Sequence, residues 1–523
     1  MIRPSRARFL IAEQPEPLAL SLPRPEADAF ELYRRIAVPG RPSFLLESGK
    51  GSESIARYSF IGSDPYLVIS GKGRRYELRT RDQTVVKDGS PFGALAGLLR
   101  ASRVPRPEGL PPFFGGAVGF LSYDAVRRFE RLPRLAVDDL HVPDLEFVFV
   151  DLVTALDHQT GTLHLIFAPP LQRLLGEPRE KLYREGCDRL AELEAKLSTP
   201  KKHFEDRLRT LELATTPWQS RADYVAKVQQ CKGYIGAGDI YQANLSHRFT
   251  IELGTPSSSN PSPDPTPQGG EGKGIEFRCR SGQEGERTGL MEDDAQALYS
   301  RLRQVNPSPF SALLVFQDVS LVSSSPERLI RLQGSRADTR PIAGTRPRGK
   351  SVAADRRLVE ELLRNEKERA EHLMLVDLER NDLGRVCRYG TVRANEFMLV
   401  ERYSHVSHIV SNIQGELHER FDGFDLLRAM FPGGTITGVP KIRCMEILDH
   451  LEPVRRGLYT GSLGYLSWSG DLDLNIIIRT LVLIGGRGYL QVGAGIVADS
   501  DPSREYDETL YKAEAVMESI GKK

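Results

Sequence analysis

The sequence predicts an α+β fold built of large antiparallel β-sheets flanked by helices. Three observations carry this. Runs rich in Val, Ile, Phe and Tyr recur between turn residues over the first 170 positions. From residue 311 onward such runs alternate with segments of helical periodicity, and three long apolar strands follow one another over 459–499. The reversals between strands are short, which favours antiparallel neighbours, because parallel ones need long crossovers.

Taken in order, FLLES (44–48), RYSFIGSDPYLVISGKG (57–73) and LEFVFVDLVTALDHQTGTLHLIFA (145–168) read as strands. REKLYREGCDRLAELEAKL has helical spacing. It predicts a helical connector at 176–219 between an N-terminal region, 1–175, and a second domain, 220–517. That domain opens with Ser220 as an N-cap, a helix, a stop at the glycines 236 and 238, and a strand. The segment TPSSSNPSPDPTPQGGEGKG (255–274) interrupts it, with 13 of 20 residues Pro, Gly or Ser. So little apolar surface cannot offset the entropy of ordering, and a disordered insertion is expected over 255–290. DDAQALYSRLRQV resumes regular structure. ALLVFQDVSLVSSSPERLIRLQ then reads as two strands, 355–380 as one long helix, and HVSHIVSNIQGEL as a strand. GFDLLRAMF and VPKIRCMEILDHL read as helices, LDLNIIIRTLVLI as one strand, and REYDETLYKAEAVMESI as the closing helix.

Composition excludes several classes. The 523 residues carry 71 Lys and Arg against 70 Asp and Glu, a net charge of +1. General nucleic-acid binders show a basic excess, so none is expected here. No apolar run approaches the roughly 18 residues that span a bilayer, and the apolar run near the start is only FLIA, so neither a membrane partner nor a secretory leader is expected. The cysteines 187, 231, 279, 387 and 444 are odd in number and scattered without a C-x-x-C. A disulfide framework and a thiolate metal site are therefore not expected, and a reduced, cytoplasmic location is the default.

Four Glu residues stand out. Glu368 and Glu371 are three apart on one predicted helix, and Glu505 and Glu508 are three apart on another, with Lys512 four further on. Each pair shares a helix face. Either alone reads as well as a solvated surface. If the two helices meet, four carboxylates converge and need protonation or a hard cation, for which Mg²⁺ is suited. FPGGTITGVPKIR (431–443) offers free backbone, the hydroxyls of Thr435 and Thr437 and a helix start near Pro440. It reads equally as an anion site or as a tight turn. His408 on a strand is a core or a site histidine. Arg479, amid Ile and Leu, needs a carboxylate partner. Glu327, just past a strand, is either a general acid–base or part of a surface turn.

Read together, SPERL, PIAGTRPRG, RAEHLMLVDLERNDLGRV, HIVSNIQGEL, FPGGTITGVPKIRCMEILDHLEP, LNIIIRT and GAGIVADSDPSREYDETLYKAEA resemble the chorismate-binding enzymes. These include anthranilate synthase component I and aminodeoxychorismate synthase component I. The resemblance runs from about residue 224 to 517, with a weaker match, FLLES and FFGGAVGFLSYDAVRRFERLP, in the N-terminal region. It implies Glu371 and Glu508 as principal Mg²⁺ ligands and Glu368 and Glu505 as the supporting pair, with the metal holding the ring carboxylate of chorismate. It implies Glu327 as the acid that helps the C4 hydroxyl leave, and His408 near that hydroxyl. Tyr459 and Arg479 match residues that bind the enolpyruvyl carboxylate. The Gly495 backbone and Lys512 match others at substrate carboxylates, and Thr435 sits in the loop lining the pocket.

Within the family the strings divide. Ala343 in PIAGT is usual in anthranilate synthases, where a common aminodeoxychorismate form has Lys. Phe310-Ser311-Ala312, FPGGTITG and DLNIIIRT resemble the aminodeoxychorismate group. The majority favours 4-amino-4-deoxychorismate as product. The alternative is anthranilate, followed by isochorismate formation with water as nucleophile, or a binding paralogue without turnover. No cysteine lies in the G-x-C-x-G context of a glutaminase nucleophile, so ammonia is expected from a separate glutamine amidotransferase subunit. Ser48 matches a residue of the inhibitor pocket of anthranilate synthases, while Phe310-Ser311 departs from its other wall.

Overall fold

The computed structural model describes residues 1–523 except 14–15, 50–55, 201–214, 254–283, 403–405, 520 and 522–523, with backbone alone for 284–291 and 515. The expected insertion lies outside the described residues as far as 283, and so does Cys279. The helix Glu284–Val305 begins within the stretch expected to be disordered. Among the described residues no helix is long and apolar enough to cross a membrane.

The strands form two antiparallel sheets, of thirteen and twelve strands among the described residues. Both draw on the two ends of the chain. In the first, Ser43–Glu47 pairs with Phe310–Val315; in the second, Gly116–Leu121 pairs with Ser462–Ser467. The 1–175 and 220–517 regions thus share both sheets. Between them an aromatic and aliphatic layer is buried, with Phe44, Phe60 and Leu314 from one sheet against Val118, Phe120 and Tyr465 from the other. The Phe60 and Tyr465 rings meet edge to face at 5.3 Å, the preferred arrangement of two quadrupoles. The connector helix Arg179–Ser198 buries Leu182, Leu190, Leu193 and Leu197 at helical spacing, which is why an otherwise charged segment stays helical.

Three elements differ from expectation. The segment 310–333 forms three strands, not two: Phe310–Val315, Ser320–Ser325 and Arg328–Gln333. LDLNIIIRTLVLI is two strands, Leu472–Ile476 and Thr480–Ile484, so Arg479 lies between strands instead of inside one. Both breaks are places where the chain leaves one sheet for the other. An apolar run has the same period on either side of such a switch, so periodicity alone does not mark it.

The single helix expected over 355–380 is two, Val352–Arg364 and Glu366–Gly384. Asn365 sits between them in extended backbone, and its side chain accepts from the Glu368 N–H at 3.0 Å. It therefore caps the helix that carries Glu368 and Glu371 and sets where that helix begins. Replacing Asn365 by Ala is expected to cost about 1 kcal/mol. Thermal unfolding measures it, and an unchanged midpoint would show the cap to be idle.

Candidate active site

The strand Gln242–Glu252 pairs with Arg487–Ile496, Asn244 lying opposite Gly495 and Ser246 opposite Gly493. Alternation turns Gln242, Asn244, Ser246 and Arg248 to one side. The facing glycines make room for them. A Cβ on Gly495 would stand 2.9 Å from Gln242 Nε2, and one on Gly493 would stand 2.2 Å from Asn244 Oδ1 and 2.7 Å from Tyr459 Oη. Across this floor Gln242 Nε2 donates to Glu371 Oε1 at 2.7 Å, and Lys512 Nζ donates to the Gly493 carbonyl at 2.8 Å.

Glu327 and Arg479 occupy the two neighbouring connections that join the sheets. The strands Ser320–Ser325 and Arg328–Gln333 flank the first, and Leu472–Ile476 and Thr480–Ile484 the second. They are stitched together: Ile476 N–H donates to the Glu327 carbonyl at 3.0 Å, Ser324 N–H to the Arg479 carbonyl at 3.1 Å, and Ser325 Oγ to the Ile476 carbonyl at 2.6 Å. Arg479 takes φ +50°, a left-handed conformation that costs a non-glycine residue about 1–3 kcal/mol and often marks a site. Glu327 is buried and no surface turn. Burial pushes its carboxyl up to about 8, with the nearby charge of Glu379 adding to this. The Thr435 hydroxyl, the Ile342 N–H (3.4 Å) and Arg479 pull the other way. Thr435 Oγ1 is close enough to act on Glu327 without a well-formed hydrogen bond to any described group.

His408 is buried on Val406–Glu416, opposite Thr345 of the neighbouring strand, and Thr345 Oγ1 and His408 Nδ1 share a hydrogen bond of 2.9 Å. Burial holds its imidazole down to about 3, with Arg479 and Lys512 adding to the effect. The ring is neutral at ordinary pH. His408 is thus a core residue with the charges of Arg479 and Lys512 nearby.

The four carboxylates lie on the two helix starts. Arg346 NH1 donates to Glu368 Oε1 at 3.0 Å, and Lys512 Nζ pairs with half-exposed Glu508 at 2.8 Å. Among the described residues no three acidic, His or Cys side chains are drawn into a ready-made metal cage. The donor set nevertheless fits a hard divalent cation. Burial raises Glu371 and Glu505, and Glu368 and Glu508 raise them further, while Lys367 and Lys512 act on both. Glu505 Oε2 is buried with no hydrogen-bond partner among the described residues. Oxygen ligands, crowded like charge and an unsatisfied carboxylate oxygen are what Mg²⁺ would relieve.

The 431–443 loop is a turn. Gly438 N–H bonds the Gly434 carbonyl at 3.2 Å and Thr437 Oγ1 the Gly433 carbonyl at 2.9 Å, while the helix starts at Lys441. Lys441 is an internal tie, ion-paired with Asp382. Tyr459 is buried beside Arg456, whose guanidinium lies 5.7 Å from its ring centre. Arg456 is itself buried and bidentate to Glu452, at 2.8 Å through both Nε and NH2. Gln242, Asn244 and Arg456 escaped the sequence reading. The polar alternation through QANLSHR was the available signal for the first two. The largest cavity among those described, about 1010 Å³, lies elsewhere, with Ser48, Phe310 and Ser311 on its wall.

A buried acid, a strained arginine, two lysines and a carboxylate cluster around a glycine floor suit a small polyanionic substrate. The chain matches the chorismate binding enzyme family over residues 41–260 and 287–518, and belongs to it. It is 39% identical over 510 residues to aminodeoxychorismate synthase component 1 of Bacillus subtilis, covering 97% of each chain. It is 42% identical over 493 residues to anthranilate synthase component 1 of Thermus thermophilus, covering 93% of this chain and 94% of that one. The structure of anthranilate synthase component I from Streptococcus pneumoniae superposes with a TM-score of 0.70 at 31% identity, over 88% of this chain and 92% of that one.

Proposed function

We propose that this chain is the synthase component of a chorismate-aminating enzyme, forming 4-amino-4-deoxychorismate with Mg²⁺ and with ammonia from a separate glutaminase subunit. The observation that carries amination is a site with an acid in place, where neither His408 nor Lys512 is a ready base. Glu327, pushed up to about 8 by burial, keeps its proton at neutral pH. His408, held down to about 3 by burial, is too weak a base. Lys512 is engaged by Glu508 and the Gly493 carbonyl. Water needs a base to become a nucleophile, whereas ammonia brings its own lone pair. Amination is therefore favoured over isochorismate formation.

Glu327 would give its proton to the departing C4 hydroxyl as ammonia adds to the ring. Arg479 and Tyr459 would hold the enolpyruvyl carboxylate. Lys512 and the Gly495 backbone would hold substrate carboxylates, with Thr435 lining the pocket. Glu371 and Glu508, supported by Glu368 and Glu505, would hold Mg²⁺, which when bound neutralises the ring carboxylate. The C4 product is favoured by PFSA, FPGGTITG and DLNIIIRT and by the Bacillus relative that matches end to end. One observation favours anthranilate instead: Ala343, buried opposite Ile409 on the strand that carries Thr345, brings no nucleophile.

The purified chain is expected to consume chorismate with Mg²⁺ and an ammonium salt at high pH, and not with glutamine. Cys231, Cys387 and Cys444 are buried, and burial raises each thiol, which suits none of them to glutamine hydrolysis. Adding a class I glutaminase subunit should make glutamine effective. Glutamine-dependent turnover by the chain alone would refute the assignment.

A further inference from the structure

Glu379 has no part in the scheme above, yet it is buried a few residues from it. It lies on the capped helix Glu366–Gly384, two turns beyond Glu371, and is 3% exposed. Its Oε1 accepts from the Gly434 N–H at 3.3 Å, and its Oε2 from Thr339 Oγ1 at 3.4 Å. Gly434 is pressed onto this helix so closely that a Cβ there would stand 2.3 Å from Leu378 Cδ2. The next residue is Thr435, whose hydroxyl faces Glu327. Glu379 therefore reaches the acid by two routes. It fixes the loop that presents Thr435, whose hydroxyl favours the ionised acid, and its own charge opposes that by favouring the protonated one.

We propose that Glu379 is a positioning residue of the active site, which pins the 433–435 turn against its helix and so sets both Thr435 and its own carboxyl around the acid Glu327. This rests on the chorismate chemistry proposed above. Lys441 and Asp382 face Glu379, and Arg479 faces Glu327. Burial raises Glu379 above the usual carboxylate range, with Lys441 opposing and Asp382 adding. An ionised Glu379 makes ionisation of Glu327 harder, as like charges in one site must. The sign follows. The acid form of Glu327 is present below its pKa and lost above it, so whatever lowers that pKa costs activity on the alkaline side first.

Glu379→Gln keeps an oxygen to accept from the Gly434 N–H and sets an amide N–H, able to donate, opposite the Thr339 hydroxyl, but removes the charge. Chorismate consumption is to be followed against pH at fixed free ammonia and saturating Mg²⁺. The alkaline limb is expected to move down by about one pH unit, so that the variant-to-wild-type rate ratio falls by up to about tenfold between neutral and alkaline pH. A limb that stays in place, or a loss independent of pH, would overturn the proposal. A second reading uses Glu327→Gln and ¹³C NMR of the glutamate carboxyls. By reciprocity the Glu379 resonance should titrate at lower pH than in the wild type, and an unmoved titration would again overturn it. Failure of the wild-type chain to consume chorismate would refute the functional reading instead, and leaves the carboxyl titration as an independent test.

Discussion

Glu371→Gln is expected to lower chorismate turnover by at least about a hundredfold, ~2.7 kcal/mol of barrier, with the fold intact. The site explains both halves of that result. The Glu371 carboxylate is half-buried and tied to Gln242 at 2.7 Å, with the Glu368 charge beside it. A glutamine there still presents an oxygen to the Gln242 amide, so the packing has no reason to change. What disappears is a negative donor from the cluster proposed to hold a hard cation. The remaining activity should need more Mg²⁺ than the wild type does. A Mg²⁺ titration of the rate beside a thermal unfolding curve checks both points. Full activity of the variant at ordinary Mg²⁺ would remove Glu371 from the metal site.

Much of this site was legible in the sequence because its residues sit in strings with their own local logic. The glycines of GAGIVAD clear a floor, and Glu368 with Glu371, like Glu505 with Glu508, repeat at helical spacing. The fold class was legible for a similar reason, since strand and helix periods differ. What was not legible is long-range. Nothing in ILDHLEPVRRGLY shows that Arg456 will be buried against Glu452 beside Tyr459. Glu379 in VDLERND reads as one more solvated charge, because burial of a carboxyl depends on what the 431–439 turn brings over it. Asn365 reads as a polar position inside a helix, and its role as a cap depends on a backbone angle that the sequence does not display. The two sheet switches were hidden by the sameness of apolar strands on either side, and those switches place Glu327 and Arg479 next to each other.

The product of the wild-type chain is expected to be non-fluorescent and to yield 4-aminobenzoate only when a pyridoxal-phosphate lyase is added. Two routes lead from chorismate and ammonia. Amination at C4 leaves the enolpyruvyl group on the ring, whereas amination at C2 followed by loss of pyruvate makes the fluorescent anthranilate. The residues proposed to hold the substrate would serve both, because both routes lose the C4 hydroxyl and would use the same acid. The difference lies in what meets C2. Ala343 is buried on the strand Ile342–Pro347, one residue from the Ile342 N–H that bonds Glu327. A lysine at 343 would bring an amine to the acid's own neighbourhood, able to add at C2 and be displaced when ammonia enters at C4. Ala343→Lys should therefore preserve or raise the lyase-dependent 4-aminobenzoate yield if the pocket is built for C4. Anthranilate fluorescence from the wild-type chain without lyase, together with an Ala343→Lys variant that merely loses activity, would assign the site to C2 amination instead.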